Sequence, residues 1–301
     1  MSQFKQTPLV SIIMPTYNRA ELIMQTIQSV LDQTYNNWKL IILDDGSDDN
    51  TEEKVSSIRD PRIHFVKMGR VAVSGRLKNE GIAMSNGELI GFIDSDDLWA
   101  PDKLEKQITA LLQNENAAFS LTGGYNFRIP GIAESYFYKQ KDGLFIGNIF
   151  RDIFRSKVAV LTPTLLFWRS CLDQVGGFNE DKAFSDSDFI FELAWHYDAV
   201  VLYEPLFYRR LHEGNDSDAN WKLRTVEGLT RIKVYKKIKR LPRELARDAI
   251  FRLHIHTGEK YLRYKKYGTA IAQFWEAWKV KPYSYIPLKK SAKTVFSLIS
   301  K

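Results

Sequence analysis

The chain has 301 residues, 44% of them hydrophobic and 26% charged, enough for one large α/β domain with an extension or for two small domains. A single cysteine, Cys171, excludes an internal disulfide framework, and no apolar run reaches the roughly 20 residues a membrane helix needs. The net charge of +7 hides an asymmetry, because Asp216–Lys301 carries 21 Lys+Arg against 7 Asp+Glu and leaves the earlier part net acidic. Such a split predicts an acidic catalytic body and a basic tail that seeks phosphate or anionic lipid. Met1–Lys5 opens no signal peptide, so a cytoplasmic location is expected, free or peripheral on the cytoplasmic face of the membrane.

Val10–Met14 reads as a first buried strand, stopped by Pro15-Thr16-Tyr17-Asn18-Arg19. Leu22, Ile23, Ile27, Val30 and Leu31 follow at helical spacing. A second strand, Leu40–Leu43, runs into Asp44-Asp45-Gly46-Ser47-Asp48-Asp49, where Ser47 or Asp49 can cap the next helix. Ile63–Val66 is a short third strand, and Ser74–Ser85 reads as a helix carrying Arg76, Lys78 and Asn79. The fourth strand, Leu89–Ile93, ends abruptly in Asp94-Ser95-Asp96-Asp97. Three carboxylates within four positions repel one another, and a hard divalent cation such as Mg²⁺ or Mn²⁺ relieves that repulsion. Pro101 then starts a helix with Leu104, Ile108, Leu111 and Leu112 on one face. Strands alternating with helices at this spacing predict a mostly parallel sheet flanked by helices, with ligands at the carboxyl ends of its strands.

Neither G-x-G-x-x-G nor G-x-x-x-x-G-K-[ST] follows the first strand, which argues against a dinucleotide dehydrogenase or a P-loop NTPase. The strand ends instead offer a ring that can stack on a base and carboxylates that can accept from a base N–H. Arg19, Arg70, Arg76 and Lys78 are cations that can meet phosphate. A lysine at 78 reads equally well as part of a solvated helix face.

Beyond Gly123-Gly124, Tyr125–Lys157 is rich in aromatics and glycine without a clear period. Val158–Trp168 reads as a strand, Phe189, Ile190, Leu193 and Ala194 as a helix, and Ala199–Tyr203 as a last strand. From Asp218 the chain reads as helical and basic, giving domains 1–217 and 218–301. Gly268, Ala270, Phe274, Ala277 and Pro282 are spaced like the second helix of a tetratricopeptide-type unit. Trp275, Trp278, Tyr283 and Tyr285 among Lys279, Lys281, Lys289 and Lys290 suit either a membrane interface or packing between helices.

Pro15-Thr16-Tyr17-Asn18-Arg19, Asp44-Asp45-Gly46-Ser47, Asn79-Glu80-Gly81-Ile82 and Asp94-Ser95-Asp96-Asp97 resemble the successive signatures of family 2 glycosyltransferases, over about Val10 to Ser217. The resemblance implies the GT-A fold, Rossmann-like with a C-terminal helical extension here, and inverting transfer from a nucleotide-diphosphate sugar. A UDP-linked donor, a saccharide or lipid-linked acceptor, a role in polysaccharide biosynthesis and an Mg or Mn cofactor are the matching expectations, and no nucleic-acid partner is expected. By the same resemblance Pro15, Thr16 and Tyr17 line the nucleoside pocket, and Asp44 or Asp45 binds base or ribose. Asp94 and Asp96 form the D-x-D pair around Ser95, with Asp96 the better metal ligand and Asp94 the better ribose ligand. Lys78 stands where the family often has Arg, beside Asn79. The turn Gly176-Gly177-Phe178-Asn179-Glu180 and the acidic pair after Phe184-Ser185 resemble the family's second half. Asp186 is then the expected general base and Asp188 the reserve, with Ser185 in place of the usual Glu. Arg210 and His212, followed by Asn215 and Ser217, resemble the motif in which Arg clamps phosphate and His reaches metal or diphosphate; the aromatic stretch after Tyr125 would shape the acceptor pocket. Two rival readings are a sugar-phosphate nucleotidyltransferase on the same kind of sheet and a nucleic-acid-binding protein driven by the basic tail.

Overall fold

A computed structural model describes residues 7–138, 142–181, 185–212 and 220–299. The chain divides into two compact units, Met1–Phe150 with Val158–Glu213, and Arg151–Lys157 with Gly214–Lys301.

The first unit begins with β1 (Val10–Thr16), α1 (Ile23–Leu31), β2 (Trp38–Asp44), α2 (Thr51–Ser56), β3 (Ile63–Lys67), α3 (Ser74–Met84) and β4 (Leu89–Phe92). It continues through β5 (Leu98–Trp99), α4 (Lys103–Leu112), β6 (Ala117–Phe127), β7 (Ala133–Tyr136) and β8 (Leu144–Gly147). Then come α5 (Phe150–Phe154), whose residues from Arg151 belong to the second unit, β9 (Leu166–Trp168), α6 (Leu172–Val175), α7 (Ser185–His196) and β10 (Asp198–Arg210). Among the described residues ten strands form one sheet in the order β3-β2-β1-β4-β9-β6-β10-β5, with β7 beside β6 and β8 beside β10.

The first half is the expected parallel sheet: β1 pairs in parallel with both β2 and β4, and β2 with β3. Its apolar runs are buried throughout, Val10, Ile12, Ile13 and Met14 in β1 and Leu40, Ile42 and Leu43 in β2, as strands covered on both faces require. The second half is mixed. β9 runs antiparallel to both β4 and β6, whereas β6 and β10 are parallel.

Two strands differ in extent from the sequence expectation. Of Val158–Trp168 only Leu166–Trp168 is strand, because Pro163 has no N–H and Thr162–Thr164 close a 3-10 turn. The last strand extends through Arg210, with register shifts against β6 around Pro205. Gly123 and Gly124 stand opposite that irregularity, where a Cβ would lie 2.3 Å from the Tyr203 carbonyl oxygen or 2.1 Å from that of Phe207. Only glycine admits so close a backbone approach.

The second unit is helical: α8 (Trp221–Lys237), α9 (Arg243–Arg263), α10 (Tyr267–Val280) and α11 (Ile286–Ile299). Ala270, Phe274 and Ala277 lie on one face of α10 and are fully buried. Trp221 meets the edge of Tyr261 at 4.7 Å and stacks on Tyr264 at 5.9 Å, and Lys281 pairs with Asp248 at 2.6 Å. Trp275, Tyr283, Tyr285, Ile286 and Leu288 remain exposed, Tyr283 completely. No helix among the described residues is long and apolar enough to cross a membrane.

Candidate active site

The parallel half of the sheet delivers its strand ends to one rim, as the sequence expectation requires. At the end of β1, Thr16 is buried and its Oγ1 has no hydrogen-bond partner among the described residues. Tyr17, just beyond Pro15 and Thr16, keeps a half-exposed ring, and the Arg70 guanidinium lies over it at 3.8 Å.

At the end of β2 both carboxylates are occupied by their own neighbourhood. Asp44 accepts from the Ser47 backbone N–H at 3.1 Å and from the Ser47 hydroxyl, closing the Asp44–Ser47 turn. Asp45 accepts from Arg70 Nη1 and from the backbone N–H groups of Val71 and Ala72, the latter at 3.1 Å. Arg70 therefore spans Tyr17 and Asp45, the two groups expected to meet a base.

The Asp94–Asp97 turn after β4 is the electrostatic centre of the rim. Asp94 is pushed up to about 6 by burial and by the charges of Asp96 and Asp186, against the opposing pull of Lys78 and Arg209. Asp97 is pushed well above the usual carboxylate range, first by burial and then by Asp96 and Asp94; it accepts the Arg210 backbone N–H at 2.8 Å. Asp96 Oδ2 accepts from Arg19 Nε at 3.2 Å and lies 2.9 Å from His212 Nε2. Ser95 is buried within the same turn.

Arg210, expected at a phosphate, bonds within the protein. It is buried, its Nε donates to the Asp96 carbonyl at 2.8 Å, its Nη2 donates to Gln25 Oε1 at 2.7 Å, and its guanidinium packs over Phe127. Those bonds tie the acidic turn to β10 and α1. Asn79 likewise bonds to protein: its Nδ2 donates to the Phe178 carbonyl at 2.9 Å and to Glu180 at 2.8 Å, while its Oδ1 accepts the Phe178 N–H at 2.8 Å. Lys78 is 1% exposed, which removes the solvated-face alternative, and its Nζ donates to Asp186 Oδ1 at 2.6 Å. Asp186 and Asp188 both lie in the first turn of α7. Phe184, Asn215 and Ser217 lie outside the described residues.

The donor set suits a divalent cation that shares its coordination. Among the described residues no three His, Cys, Asp or Glu side chains form a ready-made cage. Mg²⁺ and Mn²⁺ do not need one, because they are held by one or two carboxylates together with substrate phosphates and water. Burial first, and then the neighbouring carboxylates, disfavour the charged forms of Asp94 and Asp97. Asp96 and His212 supply an oxygen and an imidazole nitrogen side by side.

Sequence reasoning passed over Gln25 and the anchoring of Asp97 by the Arg210 backbone. Neither carries a local signal, since each bond joins residues more than a hundred positions apart.

The family model described as glycosyl transferase family 2 matches residues 11–150, the stretch that carries the β1, β2, α3 and β4 parts of this rim. Over these residues the chain is similar to family 2 glycosyltransferases. Two curated proteins are similar to part of the chain. The Escherichia coli protein UDP-Glc:alpha-D-GlcNAc-diphosphoundecaprenol beta-1,3-glucosyltransferase WfgD is 44% identical over 117 residues, 39% of this chain and 46% of WfgD. The putative teichuronic acid biosynthesis glycosyltransferase TuaG of Bacillus subtilis is 40% identical over 118 residues, 38% of this chain and 46% of TuaG. The matched region thus spans about half the length of these relatives. In fold, the chain resembles the mannosyltransferase PcManGT from Pyrobaculum calidifontis in complex with GDP-Man and Mn2+, with a TM-score of 0.61 and 19% identity over 98% of this chain and 81% of that one. It also resembles S. aureus TarS 1-349 in complex with UDP-GlcNAc, with a TM-score of 0.56 and 18% identity over 74% of this chain and 66% of that one.

Proposed function

We propose that the chain transfers a sugar, with inversion, from a nucleotide-diphosphate sugar to a hydroxyl of a saccharide or lipid-linked acceptor, and that the donor is UDP-linked. The observation that carries this reading is spatial: Lys78, whose Nζ lies 6.0 Å from the ring of Phe92 in the strand that ends in the acidic turn, donates to Asp186 at 2.6 Å. The turn suited to a diphosphate and its cation and the carboxylate suited to take a proton therefore share one locality, although they come from distant parts of the sequence.

Thr16 Oγ1 and the Tyr17 ring would receive the nucleoside, and Arg70 would leave Tyr17 and Asp45 to admit it. Asp94, Asp96 and His212 would hold the cation, which when bound supplies charge neutralisation of the leaving diphosphate. Asp186 would take the acceptor hydroxyl's proton as that oxygen forms its bond to the anomeric carbon; the bond to the diphosphate breaks and the electron pair leaves with it. The acceptor chemistry fits that of WfgD, named for glucosyl transfer to alpha-D-GlcNAc-diphosphoundecaprenol. The exposed aromatics and lysines of α10 and α11 would lie against an anionic membrane surface that presents such an acceptor.

The test is a thermal-shift panel of UDP, GDP, UDP-glucose, UDP-N-acetylglucosamine and GDP-mannose with and without Mn²⁺. A ligand held at about 100 times its Kd stabilises the native state by about 2.7 kcal/mol. Stabilisation by uridine nucleotides that depends on Mn²⁺ and weakens in Asp96→Asn is the expected result. No shift with any nucleotide overturns the reading.

A further inference from the structure

We propose that Lys78 is a positioning residue that holds the Asp186 carboxylate in its working orientation, and that it does not contact the donor's diphosphate. The inference rests on the glycosyltransferase reading and assigns a task to the lysine that stands where a phosphate-binding cation was expected.

The geometry leaves Lys78 little freedom. Its side chain is 2% exposed, and its Nζ sits 6.0 Å from the Phe92 ring centroid and 5.5 Å from that of Phe178. Phe178 in turn stacks on Phe189 of α7 at 4.4 Å and meets Phe92 edge-on at 5.2 Å. An amine walled by rings is kept by its counter-ion, because separating a buried pair leaves a charge uncompensated. Asp186 remains 35% exposed on its side chain, so a carboxylate gripped by Lys78 still presents surface to an acceptor.

The neighbouring residue points the same way. Asn79 pins both backbone groups of Phe178, in the turn that leads toward α7, at 2.8 and 2.9 Å. The fit is tight, since a Cβ on Gly177 would stand 2.5 Å from Asn79 Oδ1. Two successive residues of α3 thus hold two points, Asn79 the turn and Lys78 the carboxylate. Lys78 neither gives nor receives a proton in the transfer step. Its effect is geometric, and misplacing a reacting group by about 1 Å can cost about 10²-fold in rate.

The experiment compares the parent with Lys78→Met, Lys78→Arg, Asp186→Asn and the Lys78→Met/Asp186→Asn double variant. Nucleotide affinity is measured by calorimetry with UDP and GDP in Mn²⁺, and turnover by nucleotide release from UDP-glucose, UDP-N-acetylglucosamine and GDP-mannose, with water as acceptor. Lys78→Met is expected to lower kcat about 10- to 100-fold while nucleotide Kd stays within about twofold. Lys78→Arg should recover part of the loss, and the double variant should be no slower than Asp186→Asn alone, since residues acting as a unit are not additive. Tenfold weaker nucleotide binding with kcat retained, or losses that multiply in the double variant, overturns the inference. Should Lys78→Met fail to fold, a crystal structure of the parent with UDP and Mn²⁺ decides: Nζ still on Asp186 supports positioning, and Nζ on a phosphate oxygen overturns it. Full nucleotide release by Asp186→Asn, or a parent that binds none of these nucleotides, sinks the glycosyltransferase reading itself and this inference with it.

Discussion

Arg70 shows how a single side chain can stand in for a ligand. Its guanidinium covers the Tyr17 ring and bonds to Asp45, yet half of its side chain is exposed, so the contact is weakly held. An exposed cation–π contact is worth about 0.5–1 kcal/mol. A base stacking on Tyr17 must displace it, and Arg70→Ala is therefore expected to bind UDP about two- to fivefold tighter by calorimetry. Lys103 is the opposite case, fully buried over the Trp99 ring and bonded to Gln107 at 2.6 Å. Burial pushes its ammonium well below the usual lysine range. The native state therefore loses this proton at a lower pH than the unfolded chain does. The cost of burying the charge is present below the native value and fades as pH rises toward 10.5. Thermal melts from pH 7 to 10 should show the parent gaining stability relative to Lys103→Met as pH increases. A constant gap would show that Lys103 does not titrate differently in the two states.

Single residues also mark where the sequence stopped being legible. The acids at the ends of β2 and β4 announce themselves, because an apolar run breaking into carboxylates has few other readings. The consumption of Asp44 and Asp45 by their own loops was hidden, since it depends on where Ser47 and Arg70 fold back. Lys78 read equally as a phosphate-meeting cation and as part of a solvated helix face; its partner Asp186 lies 108 residues away.

At the scale of elements, α3 links the two halves of the first unit. It packs beside the parallel strands while Lys78 and Asn79 reach to α7 and to the Gly176–Glu180 turn. Gly177 makes that reach possible, and Gly177→Ala drives a Cβ into the Asn79 amide. Overpacking of this kind costs about 1–3 kcal/mol, to be read by denaturant unfolding. If Asp186 is the base and the turn acts only to place it, nucleotide affinity should stay within about twofold of the parent. The elements of the parallel half were visible in the sequence through period and punctuation. The second half was less so: β9 is three residues long, and β10 stays a strand only by accommodating Pro205 opposite two glycines. Propensity does not foresee a strand that tertiary pairing imposes.

At the scale of the whole molecule, the contrast between an acidic body and a basic tail gives an expectation about location. In α10 and α11 and the turn between them, Trp275, Tyr283, Tyr285 and Leu288 are exposed among Lys279, Lys289 and Lys293. The full chain should sediment with phosphatidylglycerol vesicles and much less with phosphatidylcholine vesicles. Tyr283→Ala combined with Tyr285→Ala should weaken that binding severalfold without lowering the melting temperature, because neither ring is buried. Equal binding by the double variant would leave the aromatics without this role.

β1 lies between β2 on one flank and β4 on the other. The connection leaving β1 runs to β2 on one flank, whereas the one leaving β4 runs the other way to β5 at the far edge, and connections that part from adjacent strands in this way open a gap between the two strand ends. The recess is thus a product of chain routing. PcManGT, with fewer than one residue in five in common, shares this fold, so the routing does not depend on the particular side chains that line it.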